Sequence, residues 1–324
     1  MTTAVVGADA LSGYDPSKAA AWDDLVARSV NGTFQHTRRF LAYHGPRFRD
    51  RSLLISDAKG RLAAVLAAAE DPADPSVVVS HPGLTFGGLV RDGSIRGESM
   101  VRVFEEIRAW YRSAGFTLLR YKAIPHIYQS APAGDDLYAL FRLGARRHGC
   151  DLAAVVNLAG RGRVRADRRR SVARAQALGV RTGTDWQHAP GFWQILAENL
   201  AARHGSTPTH SLAEIEYLHD RFGEDIVLVT ASLDGTLLGG SLYFAAGPTF
   251  HQQYTAVSDG GRAVCATDAV IERALVTASE RGCRYVSFGT STFDQGRRLN
   301  ESQYSFKASF GAGGVTHEHF ELDL

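Results

Sequence analysis

Cysteine is scarce in this chain. Cys150, Cys265 and Cys283 are the only three, and no two form a Cys-x-x-Cys pair. An odd, unpaired set excludes a disulfide framework and a zinc site built on such pairs. Long apolar runs are missing too. No stretch reaches the roughly 18 uninterrupted apolar residues of a membrane-spanning helix. The N-terminus lacks a basic segment followed by an apolar run, so no signal peptide is expected there, and a reducing, cytoplasmic location is. Lysine is rare beside arginine, and Gly and Ala are abundant, which reads as genome composition before function. The near balance of 36 basic and 34 acidic residues, net +2, gives no whole-chain demand for a polyanionic partner. Gly-x-Ser-x-Gly, a Cys–His pairing, metal-ligand spacing and a Walker-type loop are all absent. No metal, no bound cofactor and no covalent intermediate are therefore expected.

What is present is enough apolar material for sizeable cores, 44% of 324 residues, and a soft prior for two domains. The first 17 residues are small, polar and turn-rich and are expected to be partly disordered. A helix from Ser17 carries Trp22, Leu25 and Val26 on one face and stops at Asn31-Gly32. A short helix follows Thr37. Strands are expected at 52–56, 62–68 and 77–80, with turns at Lys59-Gly60 and at Asp71-Pro72 with Asp74-Pro75. A glycine-rich segment runs to Val90. Val101, Phe104, Ile107, Trp110 and Tyr111 then recur at helical spacing up to Gly115. A buried strand 116–121, a helix 137–143 and a strand 151–157 close the first half.

The order then repeats. A helix carries Phe192, Ile195, Leu196 and Leu200, and another begins after Ser211. Strands 226–233, 237–244 and 249–257 follow, the first two joined by the hairpin signal Asp234-Gly235. A long helix with Val270, Ile271, Ala274, Leu275 and Ala278 ends at Gly282, before a buried strand 283–288, a short helix and a last strand 314–322. An antiparallel meander followed by a helical crossover is the element order of the N-acetyltransferase fold. The expectation is a mixed α/β chain of two tandem N-acetyltransferase-like domains, 1–158 and 159–324. The alternative is two unrelated α+β domains that share an order by accident.

Between the halves, 161–174 holds seven arginines and one acid, Asp167. Near the C-terminus stand Ser287-Phe288-Gly289, then Arg297-Arg298-Leu299-Asn300, then Phe306-Lys307 with Phe310-Gly311. On these motifs the chain resembles the Fem family of aminoacyltransferases, which build peptidoglycan cross-bridges, and its wider relatives. The stretch from Trp22 to Phe34, with Ser29, Asn31 and Gly32, looks like the opening of Fem-type proteins. So does Arg168–Arg174 leading to Gly179-Val180. The resemblance covers most of the chain through short motifs in order. It implies charged tRNA as donor and partner, with an amine on a small molecule or peptide as acceptor. It also implies an active-site channel holding Lys307 and, in the first half, an acceptor pocket that would take in His81 and Phe86. No sustained heptad marks the coiled-coil arm common in cell-wall members, which favours a small-molecule or peptide acceptor.

Each candidate has two readings. Attack of an amine on an acyl ester creates an oxyanion, and Lys307 would stabilise it or pair with a terminal phosphate. A plainer reading makes Lys307 a surface residue of a helix whose Phe306 and Phe310 face inward. His251 is a possible general base, or a structural histidine. Strand alternation puts His251 with Gln253 on one face and Gln252 with Tyr254 on the other. Gln253, Tyr254, Asn300 and Phe306 would shape the pocket. His81 and Phe86 lie in a glycine-rich loop that is either a pocket wall or a plain strand connection. Arg170 and Arg174, one helical turn apart, would grip tRNA phosphate or merely solvate a linking helix. The loop Ser258–Arg262 and the loop Val90–Ser94 both lack the Gln/Arg-x-x-Gly-x-Gly/Ala spacing of a pyrophosphate-binding loop, and Asp268 stands early in the following helix. That weakens the alternative of an acyl-CoA-dependent N-acyltransferase. A third reading is a non-catalytic binding protein with the same fold.

Overall fold

The computed structural model describes residues 11–324, in two compact units. One comprises the chain up to Asp151 with Thr292–Arg298 and Thr316–Leu324; the other comprises Leu152–Ser291 and Leu299–Val315. The elements of the first half are β1 (Leu11–Gly13), α1 (Ala19–Arg28), α2 (Arg38–Leu41), β2 (Leu53–Ser56), β3 (Leu62–Leu66), β4 (Ala69–Asp71), β5 (Asp74–Val79), β6 (Leu89–Arg91), α3 (Glu98–Ser113), β7 (Leu118–Lys122), α4 (Asp135–Arg142) and β8 (Arg146–Asn157). The second half adds α5 (Ala166–Ala177), β9 (Arg181–Thr184), α6 (Ala189–His204), α7 (Leu212–Phe222), β10 (Ile226–Leu233), β11 (Thr236–Ala246), β12 (Thr249–Val257), α8 (Asp259–Ala263), α9 (Ala266–Glu280), β13 (Tyr285–Thr290), β14 (Thr292–Phe293), β15 (Arg298–Leu299), α10 (Glu301–Ala308) and β16 (Gly313–Asp323).

In the first unit β1, β2, β3 and β6 form one antiparallel sheet, and β4, β5, β7 and β16 lie side by side in another. The β5–β7 pair is parallel because α3 carries the chain back between them. The α3 stripe Met100, Val103, Phe104, Ile107 and Tyr111 is fully buried against Leu53, Ile55, Leu66, Leu119 and Tyr121. Each such side chain contributes about 1.5–3 kcal/mol by leaving water. Asn31 ties the end of the α1 segment to β6: its amide donates to Leu89 O, and its Oδ1 accepts from Arg91 N.

The second unit orders its strands β8, β13, β12, β11, β10, β9. Only β12–β13 is parallel, joined by α9, whose Val270, Ile271, Ala274 and Ala278 bury against Val229, Tyr243, Phe250, Val286 and Phe288. Ser211 and Glu214 form the capping box that starts α7.

Several expectations change. Of the N-terminal stretch expected to be partly disordered, the residues before Leu11 lie outside the described residues. Leu11–Gly13 is a strand paired with Leu53–Ile55. The glycine-rich segment ends in β6, and the second turn is Pro72-Ala73, with Pro75 already inside β5. The strand β9 was not expected at all, since Arg181–Thr184 carries no apolar alternation. Among the described residues no helix is long and apolar enough to cross a membrane.

The loop between β14 and β15 holds Asp294, Gln295 and Gly296 in succession at positive φ. At Gly296 (φ 87°) a Cβ would sit 1.8 Å from Cys150 O. Gly296→Ala is therefore expected to lower stability by about 2–3 kcal/mol, read as an earlier urea midpoint. An unchanged midpoint would show that the loop is not held against β8.

Candidate active site

The second unit builds its site where β12 and β13 stop pairing. The parallel register runs Thr249↔Tyr285, Phe250↔Val286 and His251↔Ser287, and ends there. Beyond it β12 follows β11 alone, with an irregularity. Leu242 pairs with Tyr254 but Tyr243 pairs with Gln252, so Gln253 is an extra residue, a β-bulge. Directly opposed residues share a face, and a bulge resets the alternation. Tyr254 thus falls on the face of His251, opposite Gln252. The simple alternation read from the sequence is corrected at this point.

The polar groups are tied down. Gln252 Nε2 donates to Ser241 Oγ (2.9 Å) and Tyr243 OH (3.0 Å). The Tyr254 hydroxyl lies 2.6 Å from His210 Nδ1 and accepts from the His210 backbone N–H. Trp193 meets the Tyr254 ring edge-on at 5.4 Å. Burial raises the Tyr254 phenol above its ordinary value. His251 is buried. His210 had no signal in the sequence, because its partner lies 44 positions away.

Past the last β12–β13 pair, β13 is met by Lys307. Its ammonium donates to Gly289 O (3.2 Å), Thr290 O (2.8 Å) and Ser291 Oγ (3.0 Å). All three N–H bonds are used, and Lys307 is only 9% exposed. The reading of Lys307 as a surface residue does not hold. Of its two aromatic neighbours, Phe310 is buried and Phe306 is 37% exposed. Asn300 starts α10: its Oδ1 accepts from Gln303 N, and its own N–H donates to Ser291 O. Arg168 lies over the rings of Phe306 (5.4 Å) and Phe310 (5.9 Å) and pairs with Asp268 at 2.8 Å.

The arginine run divides. Arg161 makes a bidentate pair with Glu272 at 2.9 Å, and Arg165 pairs with Asp167. Arg163, Arg165, Arg169, Arg170 and Arg174 are exposed. The stretch expected as a loop, Ser258–Arg262, is instead the start of α8: Ser258 caps it, its Oγ accepting from Gly261 N, and the Arg262 guanidinium is held by Val257 O, Asn199 Oδ1 and Asp259.

His81 and Phe86 belong to the first unit. His81 is buried at φ 63° beside His44 (4.9 Å) and Phe48 (5.3 Å), and burial depresses its imidazole to about 3. Phe86 stacks on Tyr128 at 4.1 Å. Among the described residues no group of three His, Cys, Asp or Glu side chains is placed to hold a metal ion.

The family model described as an acetyltransferase (GNAT) domain matches residues 159–301. The fold of the whole chain is that of a crystal structure of FemX, at TM-score 0.67 and 14% identity over 97% of each chain. L-PGS from Bacillus licheniformis shares it at TM-score 0.63 and 14% identity, over 95% of this chain and 91% of that one. No curated protein sequence matches. The tandem N-acetyltransferase-like, mixed α/β fold and the Fem-like resemblance expected from the sequence are what these comparisons support, and the family model over residues 159–301 supports acyltransferase as the enzyme class.

Burial lowers the Lys307 ammonium to about 8 from the ordinary 10.5. Between these values the unfolded chain binds the extra proton and the folded one does not, so the lysine makes stability rise with pH across that window. Lys307→Met is expected to abolish this contribution. The stability of the wild type relative to the variant should climb from about pH 8 to 10.5 in parallel urea titrations, and a flat difference would contradict the burial argument.

Proposed function

We propose that the protein is an aminoacyltransferase that moves an aminoacyl group from aminoacyl-tRNA onto an amine of a small molecule or peptide, working in the cytoplasm. Its functional halves are residues 1–158 and 159–324, with the donor handled by the second. The observation that carries the reading is a buried cation held where a parallel strand pair ends. The Lys307 ammonium is fixed at the end of β13, just past the point where its pairing with β12 ends.

In the reaction the lone pair of the neutral amine attacks the ester carbonyl carbon. A C–N bond forms, and the carbonyl oxygen becomes an oxyanion beside the Lys307 ammonium. Collapse breaks the C–O bond to the ribose, and the departing oxygen takes up the proton lost by the amine. The protein's part is positioning and charge. His251 and Tyr254, on one face of β12, would orient the acyl group. Gln253, Asn300 and Phe306 would wall the pocket, with Phe306 partly open to solvent, and His81 and Phe86 would serve the acceptor. Arg170 and Arg174, exposed with three other arginines, supply cations for tRNA phosphates.

The donor choice rests on the Ser258–Arg262 segment. Its Gly261 amide and its guanidinium are already bonded within the protein, and Asp268 adds negative charge early in α9. That leaves little for a pyrophosphate. The match of residues 159–301 to an acetyltransferase family favours the second reading, an acyl-CoA donor.

The deciding experiment offers radiolabelled aminoacyl-tRNAs, and separately acyl-CoAs, with a cell extract as acceptor source. RNase-sensitive transfer is expected, and transfer from CoA alone would overturn the tRNA donor. Lys307→Ala is expected to lower kcat about tenfold or more, because the fixed positive charge facing the oxyanion is lost. Wild-type turnover in that variant would leave a binding protein as the better reading. Replacing the five exposed arginines by serine should weaken tRNA binding. It should also flatten the dependence of log affinity on log salt by about 0.7–0.9 for each phosphate that is no longer neutralised. An unchanged slope would place the tRNA elsewhere.

A further inference from the structure

The first unit holds a cluster that the acyl-transfer reading does not use. A cavity of about 270 Å³ is lined by Arg120, Lys122, His148, Asp151, Gln295 and His319, with apolar walls from Val79, Tyr121 and Phe320. Within it His319 Nε2 lies 3.1 Å from Asp151 Oδ2, and Thr292 Oγ1 donates to Asp151 Oδ1 at 2.6 Å. Hydroxyl, carboxylate and imidazole form one chain. The His319 bond and then the Thr292 bond hold the Asp151 carboxyl below its ordinary range, so it is anionic near neutrality.

The cations of this cavity are already committed. Lys122 Nζ donates to His81 O and Leu84 O, and Arg120 is divided between Asp71 (2.5 Å) and Glu321 (3.1 Å). His148 faces Glu321 at 3.4 Å. What remains unspent is capacity to accept. A carboxylate has about four lone-pair sites, and Asp151 uses two of them. The other ring nitrogen of His319 makes no hydrogen bond among the described residues. The wall opposite is the left-handed Asp294–Gly296 segment, its Gln295 O accepting from Cys150 N at 3.0 Å. Strain held in place in this way concentrates at functional sites.

A site of acceptors takes a donor. A metal ion is set aside, since no three suitable ligands converge among the described residues. We propose that this cavity binds the ammonium group of a small amine, received by the Asp151 carboxylate beside the His319 imidazole. An ammonium brings three donors and a charge, and a charge-assisted hydrogen bond to an anionic carboxylate is about twice as strong as a neutral one. A volume of about 270 Å³ limits the occupant to the size of an amino acid or a monosaccharide. The purpose of such a site rests on the acyl-transfer reading, in which the amine is the acceptor. The binding itself does not rest on it.

The test needs no donor. The full chain is titrated calorimetrically with glucosamine against glucose, and with ethanolamine against ethylene glycol. Each amine is expected to bind at least tenfold more tightly than its hydroxyl counterpart. Asp151→Asn is expected to reduce amine affinity at least tenfold and to leave the hydroxyl compounds unaffected. His319→Gln, which keeps the carboxylate, should reduce it several-fold, and it carries the test if D151N does not fold. Equal binding of amines and hydroxyl compounds, no binding of either amine, or unchanged affinity in the folded variants would each overturn the proposal. Those results would leave acyl transfer standing. Amine binding without transfer from any donor would do the reverse.

Discussion

A lysine ammonium buried without a carboxylate partner among the described residues fixes the candidate site of the second unit. Moving a charge out of water is expensive unless every donor finds an oxygen, and Lys307 finds three at the end of β13 and just beyond it. That demand reaches outward. The α10 helix must begin where Asn300 can bond Ser291 O, and Phe310 must enter the core to set the helix's rotation. Arg168 must lie over the two phenylalanine rings while bonded to Asp268. Each tie is modest alone. Together they leave the ammonium one position, and burial keeps part of its cost, visible in the lowered proton affinity.

The bulge at Gln253 is the second constraint, and it acts through parity. A strand has a period of two, so one inserted residue exchanges the faces of everything beyond it. Without it, Tyr254 would share a face with Gln252, whose side chain is bonded to Ser241 and Tyr243. With it, Tyr254 stands on the face of His251 and reaches His210 instead.

These two features mark the limit of what could be read beforehand. The long helices were legible because their apolar residues recur at helical spacing and because Gly115 and Gly282, both at positive φ, end them. The meander of β10, β11 and β12 was legible through alternation and Asp234-Gly235. A bulge leaves no mark in composition, and it defeated the face assignment at Tyr254. The short strands β1, β4, β6 and β9 were missed because partners chosen by tertiary pairing define them, not their own apolar pattern. Lys307 was singled out as a candidate by motif. Its oxygens were not, since two of the three belong to the backbone. The Asp151–His319 pair, 168 positions apart, had no local signature.

The chain has only four lysines among 36 basic residues, and in two of them, buried Lys307 and half-buried Lys122, desolvation lowers the ammonium to about 8. Both stand where a parallel pair stops. After Val79↔Arg120 in the first unit, the loop carbonyls of His81 and Leu84 have no strand to bond, and Lys122 bonds them. After His251↔Ser287 in the second unit, Lys307 does the same for Gly289 and Thr290. Strands that separate leave acceptors behind, and buried acceptors need donors. A compact ammonium can aim three N–H bonds at oxygens grouped on one side of it, whereas a guanidinium spreads five in a plane. Lysine is thus the residue this geometry requires, even in a chain that otherwise uses arginine. In the first unit that ammonium secures a loop. In the second the same solution sets a cation beside the end of the strand pairing, where the proposed acyl transfer would use it.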